Sequence, residues 1–561
     1  MDRRDFLTAG KVKKAAPVQF ASPSRTLSGT NPYTGPWGVN EVIHLLKRTM
    51  FGAKKADVDF FKAMTMSQAV DYLLNVSLAQ TQPAPPVKNY ANSINATDPD
   101  NAIAAGQTWV NTNTSDGTVN SARIASFKNW WMGQIVNQER NILEKLTLFW
   151  SNHFSTEADT IPRAMWTYQI NASIRKNALG NFKSFVKEIS LDPGMLYYLN
   201  GYLNSNTAPD ENYGRELQEL FTVGKGADNA SPNYNEVDVK AAAKVLTGWQ
   251  VNTTTNTTIF TSSRHDITNK QFSAFYSNTL ITGRTGATAG DLELTDMLNM
   301  IFATNDPAMH ISRKLYRWFV YYNIDAATEA NVIAPLAQVF RSSNYNIKTL
   351  LSALLKSEHF FDVLNQGCLI KSPVDFIAGA CREFDVQFPL LTDYAANYNC
   401  WQSINSFSVS FQQNIGDPPN VAGWQPYYQA PQYHEIWINS DTYPKRNQFT
   451  DQMLLTGYTR NGANIRIDPT LFAKMMPNPG DPNLLISDSI QYLFRLPLAQ
   501  ASRDQLKRDI LLSGQTNDAY WTNAWDAYIA NPNNTGNATI IKTRLKDLYQ
   551  YLLKLAEYQL A

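Results

Sequence analysis

The chain has 561 residues, 43% of them hydrophobic and 17% charged, with 49 Lys and Arg against 48 Asp and Glu for a formal net charge of +1. The length argues for two or more domains, or for one large helical body with appendages. The balanced charge excludes a general nucleic-acid binder, which needs a basic face, and no run reaches the about 18–20 apolar residues of a membrane helix.

Residues 1–32 read as an extended polar arm. In MDRRDFLTAG, Arg3 and Arg4 precede Phe6 and Leu7 as in a twin-arginine export signal. Lys11, Lys13 and Lys14 then occupy the place of the apolar stretch such a signal needs. The arm is either a degenerate signal or an ordinary basic segment. Val39, Val42, Ile43, Leu45, Leu46 and Met50 recur at helical spacing up to Gly52, and a second helix is expected over 67–76. Pro, Asn, Thr and Ala dominate 77–120, a long loop. A dense helical run follows over 122–138, 140–150, 166–176 and 182–189, then a turn with a short helical or extended piece at 191–201. DENYGRELQELFTVG (210–224) predicts a helix closed by Gly224, and VDVKAAAKVLTGW (237–249) another. Residues 250–290 read as a loop with a short hairpin.

Helices resume over 292–302, 308–322, 332–341, 347–358 and 373–384, while 400–445, rich in Trp, Pro and Tyr, reads as irregular. Ile541, Leu545, Leu548, Leu552 and Leu555 draw an apolar stripe on a last helix, expected to pair with 502–513. The fold class is mainly α: a large multi-helix, bundle-like array with a small irregular or β insertion near 250–290. Its expected parts are an arm (1–32), a helical domain (33–446, with loop insertions at 77–120 and 250–290) and a C-terminal helical subdomain (447–561).

Three cysteines, Cys368, Cys381 and Cys400, are too few for a disulfide framework and read as buried small apolar residues. HExxH, GxSxG, GxxxxGK[ST] and GxGxxG are all absent, so the common zinc-protease, serine-hydrolase and nucleotide-binding templates fail. In 210–224, Asp210 is placed as an N-cap and Glu211 in the first turn, where the helix dipole favours it. Glu211, Arg215 and Glu219 share one face as a ladder of ion pairs. Glu216 is left at the edge, where it converges with Glu219 as ligand pairs do in helical bundles, unless arginines pair with both. His153 shares a face with Glu157 only if its helix continues through Phe154; otherwise it reads as a hydrogen-bonded core or capping residue. Arg264-His265-Asp266 in the insertion is a metal-ligand pair, an acid–base pair or a loop hydrogen bond. Aromatic residues make up 12%, which suits sugar stacking as well as a large helical core.

An ordered series of stretches resembles the bacterial family known as domain of unknown function 1800. They are HLLKRTMFG (44–52), LTLFWSNHFST (146–156), LDPGMLYYLNG (191–201), DENYGRELQELFTVG (210–224) and DVKAAAKVLTGW (238–249). RHD (264–266), MHISRKLYRWFV (309–320), SEHFFD (357–362), KSPVDF (371–376), DPPNVAGW (417–424) and WINSDT (437–442) continue it. The series spans roughly residues 40–445 and leaves 447–561 outside. Asp210 and Gly214 stand where the family usually has asparagine and alanine. The resemblance implies a largely helical exported protein of the periplasm or cell envelope, often encoded beside a sulfatase-like protein of domain of unknown function 1501. The missing apolar signal leaves a cytoplasmic location open.

The polar residues in these stretches suggest one site. An enzyme of the hydrolase or lyase class, acting on an envelope polysaccharide, would use Glu216 or Glu219 as acid or base with His153 or His265 as partner. Asn152, Arg215 and Asp266 would bind substrate, and Trp249 or Trp424 would offer a stacking platform. Alternatively His153, Glu216, Glu219 and His265 could hold one divalent metal that activates water. The competing class is a non-catalytic scaffold that docks a partner protein through 400–445 and the C-terminal stripe.

Overall fold

Capping chemistry sets many of the helix starts. Asp116 accepts from the Thr118 and Val119 amides to open Gly117–Val136, and Asp192, followed by Pro193, opens Pro193–Tyr198. Ser372 with Pro373 opens Pro373–Glu383, and Asn534 opens Thr535–Lys554. The computed structural model describes residues 29–77, 79–225 and 233–561, and the twin-arginine-like segment lies outside them. The described residues are mainly helical, with only small two-stranded sheets among them.

Two helices stand where none was expected. Lys55–Lys62 is short and lacks a side-chain cap, so it leaves little local signal. Tyr394–Ser410 runs through a stretch full of Asn, Ser and Gln, yet Asn397, Tyr398, Trp401 and Ile404 line a buried face. That face meets Gly117–Val136 at Gly133, where an added Cβ would lie 2.6 Å from the Trp401 indole. The insertion holds two antiparallel hairpins, Trp249–Asn252 with Thr257–Phe260 and Lys270–Gln271 with Leu280–Ile281.

The loop at 77–120 is pinned by charge rather than by regular structure. Asp100, fully buried, pairs with Lys88 at 2.9 Å and Arg123 at 2.7 Å. One continuous apolar core runs from Val42 to Tyr558. Ile541, Leu545, Leu548 and Leu552 are buried in it, packed on Thr442–Leu455, Pro469–Lys474 and Ala519–Ala530 as well as on the expected 502–513 segment, at its π-turn Lys507–Leu511. Trp401, Trp424 and Trp437 are buried too. The stripe and the tryptophans of 400–445 are therefore used inside the chain, which corrects the expectation that they face a partner.

The C-terminal elements also tie back into the rest of the molecule. The Tyr558 hydroxyl donates to Glu383 at 3.2 Å, and the Lys371 amide donates to the Gln559 carbonyl at 2.8 Å. Cys381 and Cys400 are buried and Cys368 half-buried, all three free. Among the described residues no helix is long and apolar enough to cross a membrane.

Candidate functional site

The segment 210–224 begins as expected and then departs from a regular helix. Asp210 caps it by accepting from the Asn212 amide at 2.8 Å, and Glu211–Glu216 is α-helical. Leu217–Thr222 then widens into a π-turn, a feature that re-aims side chains and is frequent at functional sites. Val223 and Gly224 both donate their amides to the Gln218 carbonyl at 2.9 Å. Gly224 adopts φ +77°, and an added Cβ would lie 2.3 Å from His310 Nδ1. Gly224→Ala is expected to destabilise the chain by about 1–3 kcal/mol through left-handed strain and that clash; the shift in urea midpoint measures it.

The last carbonyls of this helix need donors, and two histidines supply them. His153 Nε2 donates to the Phe221 carbonyl at 3.1 Å and His310 Nε2 to the Leu220 carbonyl at 3.0 Å. His153 Nδ1 is then an acceptor, and Lys314 Nζ donates to it at 3.0 Å. Burial and the Lys314 charge push the His153 imidazolium well below its usual range, and burial brings Lys314 down to about 7. The helix of His153 ends there, with Phe154 as its C-cap, so His153 and Glu157 do not share a helical face. His153 is a neutral capping residue.

Each remaining expected residue has a definite place. Arg215 makes a two-point pair with Glu236 at 2.7 and 2.8 Å and a looser one with Glu211 at 3.4 Å, rather than with Glu219. Glu219 pairs with Lys225 and accepts from the Tyr234 hydroxyl. His265 belongs to the insertion: Nε2 lies 3.2 Å from Glu293, whose other oxygen takes Lys270 at 2.6 Å. Asp266 accepts from the Thr268 amide and hydroxyl. Asn152 Oδ1 accepts from the Trp424 amide at 2.9 Å, a contact that only glycine at 423 permits, since a Cβ there would meet that oxygen at 2.2 Å.

Two expectations need correcting. Trp249, packed on Phe260, and Trp424 are both more than nine-tenths buried, so neither offers a ring face to a sugar. Glu216 and Glu219 are neighbours, but His153 caps the Phe221 carbonyl and His265 pairs with Glu293 in the insertion, and among the described residues no group of three or more His, Cys, Asp or Glu is placed to hold a metal ion.

Glu216 alone keeps its carboxylate uncommitted, with no hydrogen bond or ion pair to any described residue. It is half-buried; burial and the neighbouring Glu219 charge raise its proton affinity above the usual carboxylate range. Its charge also reaches Tyr198, whose hydroxyl donates to Glu157 at 3.0 Å and whose ionisation is opposed by burial first and then by Glu157, Asp417 and Glu216. Asp417 accepts from the Asp159 amide at 3.3 Å and Asn414 at 3.1 Å, with Lys128 3.7 Å away. Burial brings its carboxyl up to about 6. Sequence reasoning did not single out Tyr198 or Asp417, although both lie in the motifs LDPGMLYYLNG and DPPNVAGW. Each motif reads alone as turn chemistry.

The family model described as "Protein of unknown function (DUF1800)" matches residues 44–560, so the match extends through the C-terminal region that the quoted stretches left outside. No curated protein and no solved structure matches the chain.

Proposed function

This chain belongs to the DUF1800 family of proteins of unknown function, and from that premise we propose that it is a hydrolase or lyase in which Glu216 and Asp417 do acid–base work on a polar polymer. A cell-envelope polysaccharide is the substrate class that suits the patch. Glu216 carries this reading. A half-buried carboxyl with raised proton affinity and no structural partner among the described residues is what general acid–base chemistry requires. Asp417 supports it as a second carboxyl tuned upward, electrostatically coupled to the same tyrosine.

In this reading Asp417 delivers its proton to the departing oxygen while Glu216 accepts one from water or from a substrate carbon. Tyr198, held un-ionised, orients the oxygen between them. Tyr197 and Tyr202, half-exposed and stacked at 4.9 Å, replace Trp249 and Trp424 as the platform for a sugar face. The scaffold alternative has less support, because the C-terminal stripe and the tryptophans of 400–445 are packed internally.

The test is turnover of a panel of acidic and neutral polysaccharides, read as new reducing ends for hydrolysis and as unsaturated ends for elimination. The proton on Asp417 is present below about 6 and lost above it, so the rate is expected to fall as pH rises through that value. Asp417→Asn should abolish that dependence together with most of the rate. An unchanged rate and pH profile in Asp417→Asn would remove Asp417 from the mechanism.

A further inference from the structure

A second constellation lies away from the glutamate patch, in a buried cavity of ≈ 50 Å³. That is room for about three or four water molecules, or for one small oxyanion. Lys47 and Arg48 reach it from Val39–Thr49, Lys145 from Leu143–His153, Arg317 from Asp306–Phe319, and Lys371 from the turn before Pro373–Glu383. Asp375 is the single carboxylate side chain on its wall, which Ala561, the last residue of the sequence, also lines. Lys145 is paired with Asp375, and Lys47 with Glu383 behind it. Arg48, Arg317 and Lys371 have no carboxylate within ion-pair distance among the described residues. Arg48 and Lys371 are buried and Arg317 half-buried; Glu383 and Asp375 act on Lys371 from beyond ion-pair distance, and buried cations without a direct counter-charge are expensive to keep.

The unsatisfied atoms on the wall are all donors. Lys371 Nζ, Arg48 Nε and Trp318 Nε1 have no hydrogen-bond partner, and their residues are 4%, 2% and 7% exposed. Lys371 has only the Tyr558 ring, 3.8 Å from its nitrogen to the centroid. His434 adds a fourth donor. Its Nδ1 accepts from the Ile370 amide at 3.1 Å, which leaves the proton on Nε2, and Nε2 is likewise unpartnered. No buried side-chain oxygen of the described residues on this wall is left unpaired. Four unfilled N–H donors and a surplus of positive charge specify a ligand that only accepts.

The frame that holds these donors is rigid. The Lys371 carbonyl accepts from Arg446 at 3.0 Å and its amide donates to Gln559. Arg48 Nη2 is fixed on the Asn365 carbonyl at 2.8 Å, and the Trp318 ring lies 4.4 Å from that of Tyr427. The donors are therefore preorganised rather than collapsed onto one another. Stretches that carry the family resemblance meet here: HLLKRTMFG, MHISRKLYRWFV, KSPVDF and the start of WINSDT.

We propose that this cavity binds a tetrahedral oxyanion, a phosphate or sulfate group, either free or as the terminal group of a larger molecule. Bound there, its oxygens would take the four open donors and neutralise the Arg48, Arg317 and Lys371 charges.

The test uses the whole chain, with thermal unfolding and calorimetric titration against inorganic phosphate, inorganic sulfate and glucose 6-phosphate. Potassium chloride at matched ionic strength is the control. Phosphate and sulfate are expected to raise the unfolding midpoint in a saturable way. Lys371→Met should unfold at a higher temperature than wild type without phosphate, because it removes a buried charge, yet bind phosphate roughly 10- to 100-fold more weakly. Trp318→Phe keeps the ring packing and removes one donor; a loss of about 3- to 10-fold is expected, and it serves if Lys371→Met does not fold. Binding of glucose 6-phosphate as tightly as phosphate would assign the site to the end of a larger ligand, and binding of the inorganic ions alone would assign it to a free ion. Midpoints that respond equally to chloride, or phosphate binding that survives in both variants, would overturn the proposal.

Discussion

Glu216→Gln is expected to abolish polymer turnover while leaving the protein as stable as the parent. The amide has the carboxylate's shape but neither accepts nor delivers a proton, so a rate loss of about 10²- to 10⁴-fold follows if Glu216 is the acid–base group. Stability should move by less than about 0.5 kcal/mol, because no described residue depends on that carboxylate and the charge that acts on it most strongly, Glu219, repels it. Combining the two readouts separates chemistry from folding. A variant that melts well below wild type would make Glu216 a structural residue, and one that melts normally and still turns over would release it from catalysis. Glu219→Gln is the internal control. It loses the Lys225 pair and weakens the Tyr234 contact, so it should cost some stability with a smaller effect on rate.

Asp100→Asn is expected to produce the largest stability loss from a single conservative change. Asp100 is fully buried and accepts from Arg123 at 3.0 and 2.7 Å and from Tyr90 at 2.9 Å, with Lys88 paired on its other oxygen. The amide would leave two buried cations without a counter-charge, a cost of about 3–5 kcal/mol, read as a fall in urea midpoint with an unchanged slope. Burial opposes the charge on Asp100, but hydrogen bonds from Lys88 and Arg123 outweigh it and hold the carboxyl below the usual aspartate range. Its contribution is therefore present above the unfolded-state pKa and lost as pH falls through the lower folded value. The wild type should lose stability over that acid window, and the asparagine variant should lack this part of the loss.

Most helices were legible because their signals are short-range. The Val39–Thr49 stripe, the Asp210 cap and the Pro193 and Pro373 starts each need only a few neighbouring residues. Tyr394–Ser410 was not legible, since its buried face is diluted by Asn, Ser and Gln and is defined by the helix it meets. The composition of 77–120 marks it as a loop but not the buried charges that order it, because Lys88, Asp100 and Arg123 carry no local signal in the sequence.

The candidate site divides in the same way. Local reasoning about 210–224 correctly placed Asp210 as a cap and isolated Glu216 as the carboxylate without a local explanation. It also predicted an Arg215–Glu219 pair, which the π-turn at Leu217–Thr222 and the arrival of Glu236 replaced. His153 stood out by its polar setting after an aromatic helix, yet its role as a cap depends on the distant carbonyl of Phe221.

The sequence by itself determined that this is a mainly helical chain of a particular family, where most helices begin, and which glutamate is left over on one of them. Those properties rest on spacing and capping within a turn or two. The tertiary structure decided which polar groups are already used and which are not. It buried Trp249 and Trp424, turned two histidines into helix caps, and tied Asp417 to Asn414 and the Asp159 amide. It also gathered Lys47, Arg48, Lys145, Arg317 and Lys371 around one cavity. Burial and the balance of charge depend on groups far apart along the chain, and the free energy of a charged side chain depends on those partners more than on its neighbours in sequence.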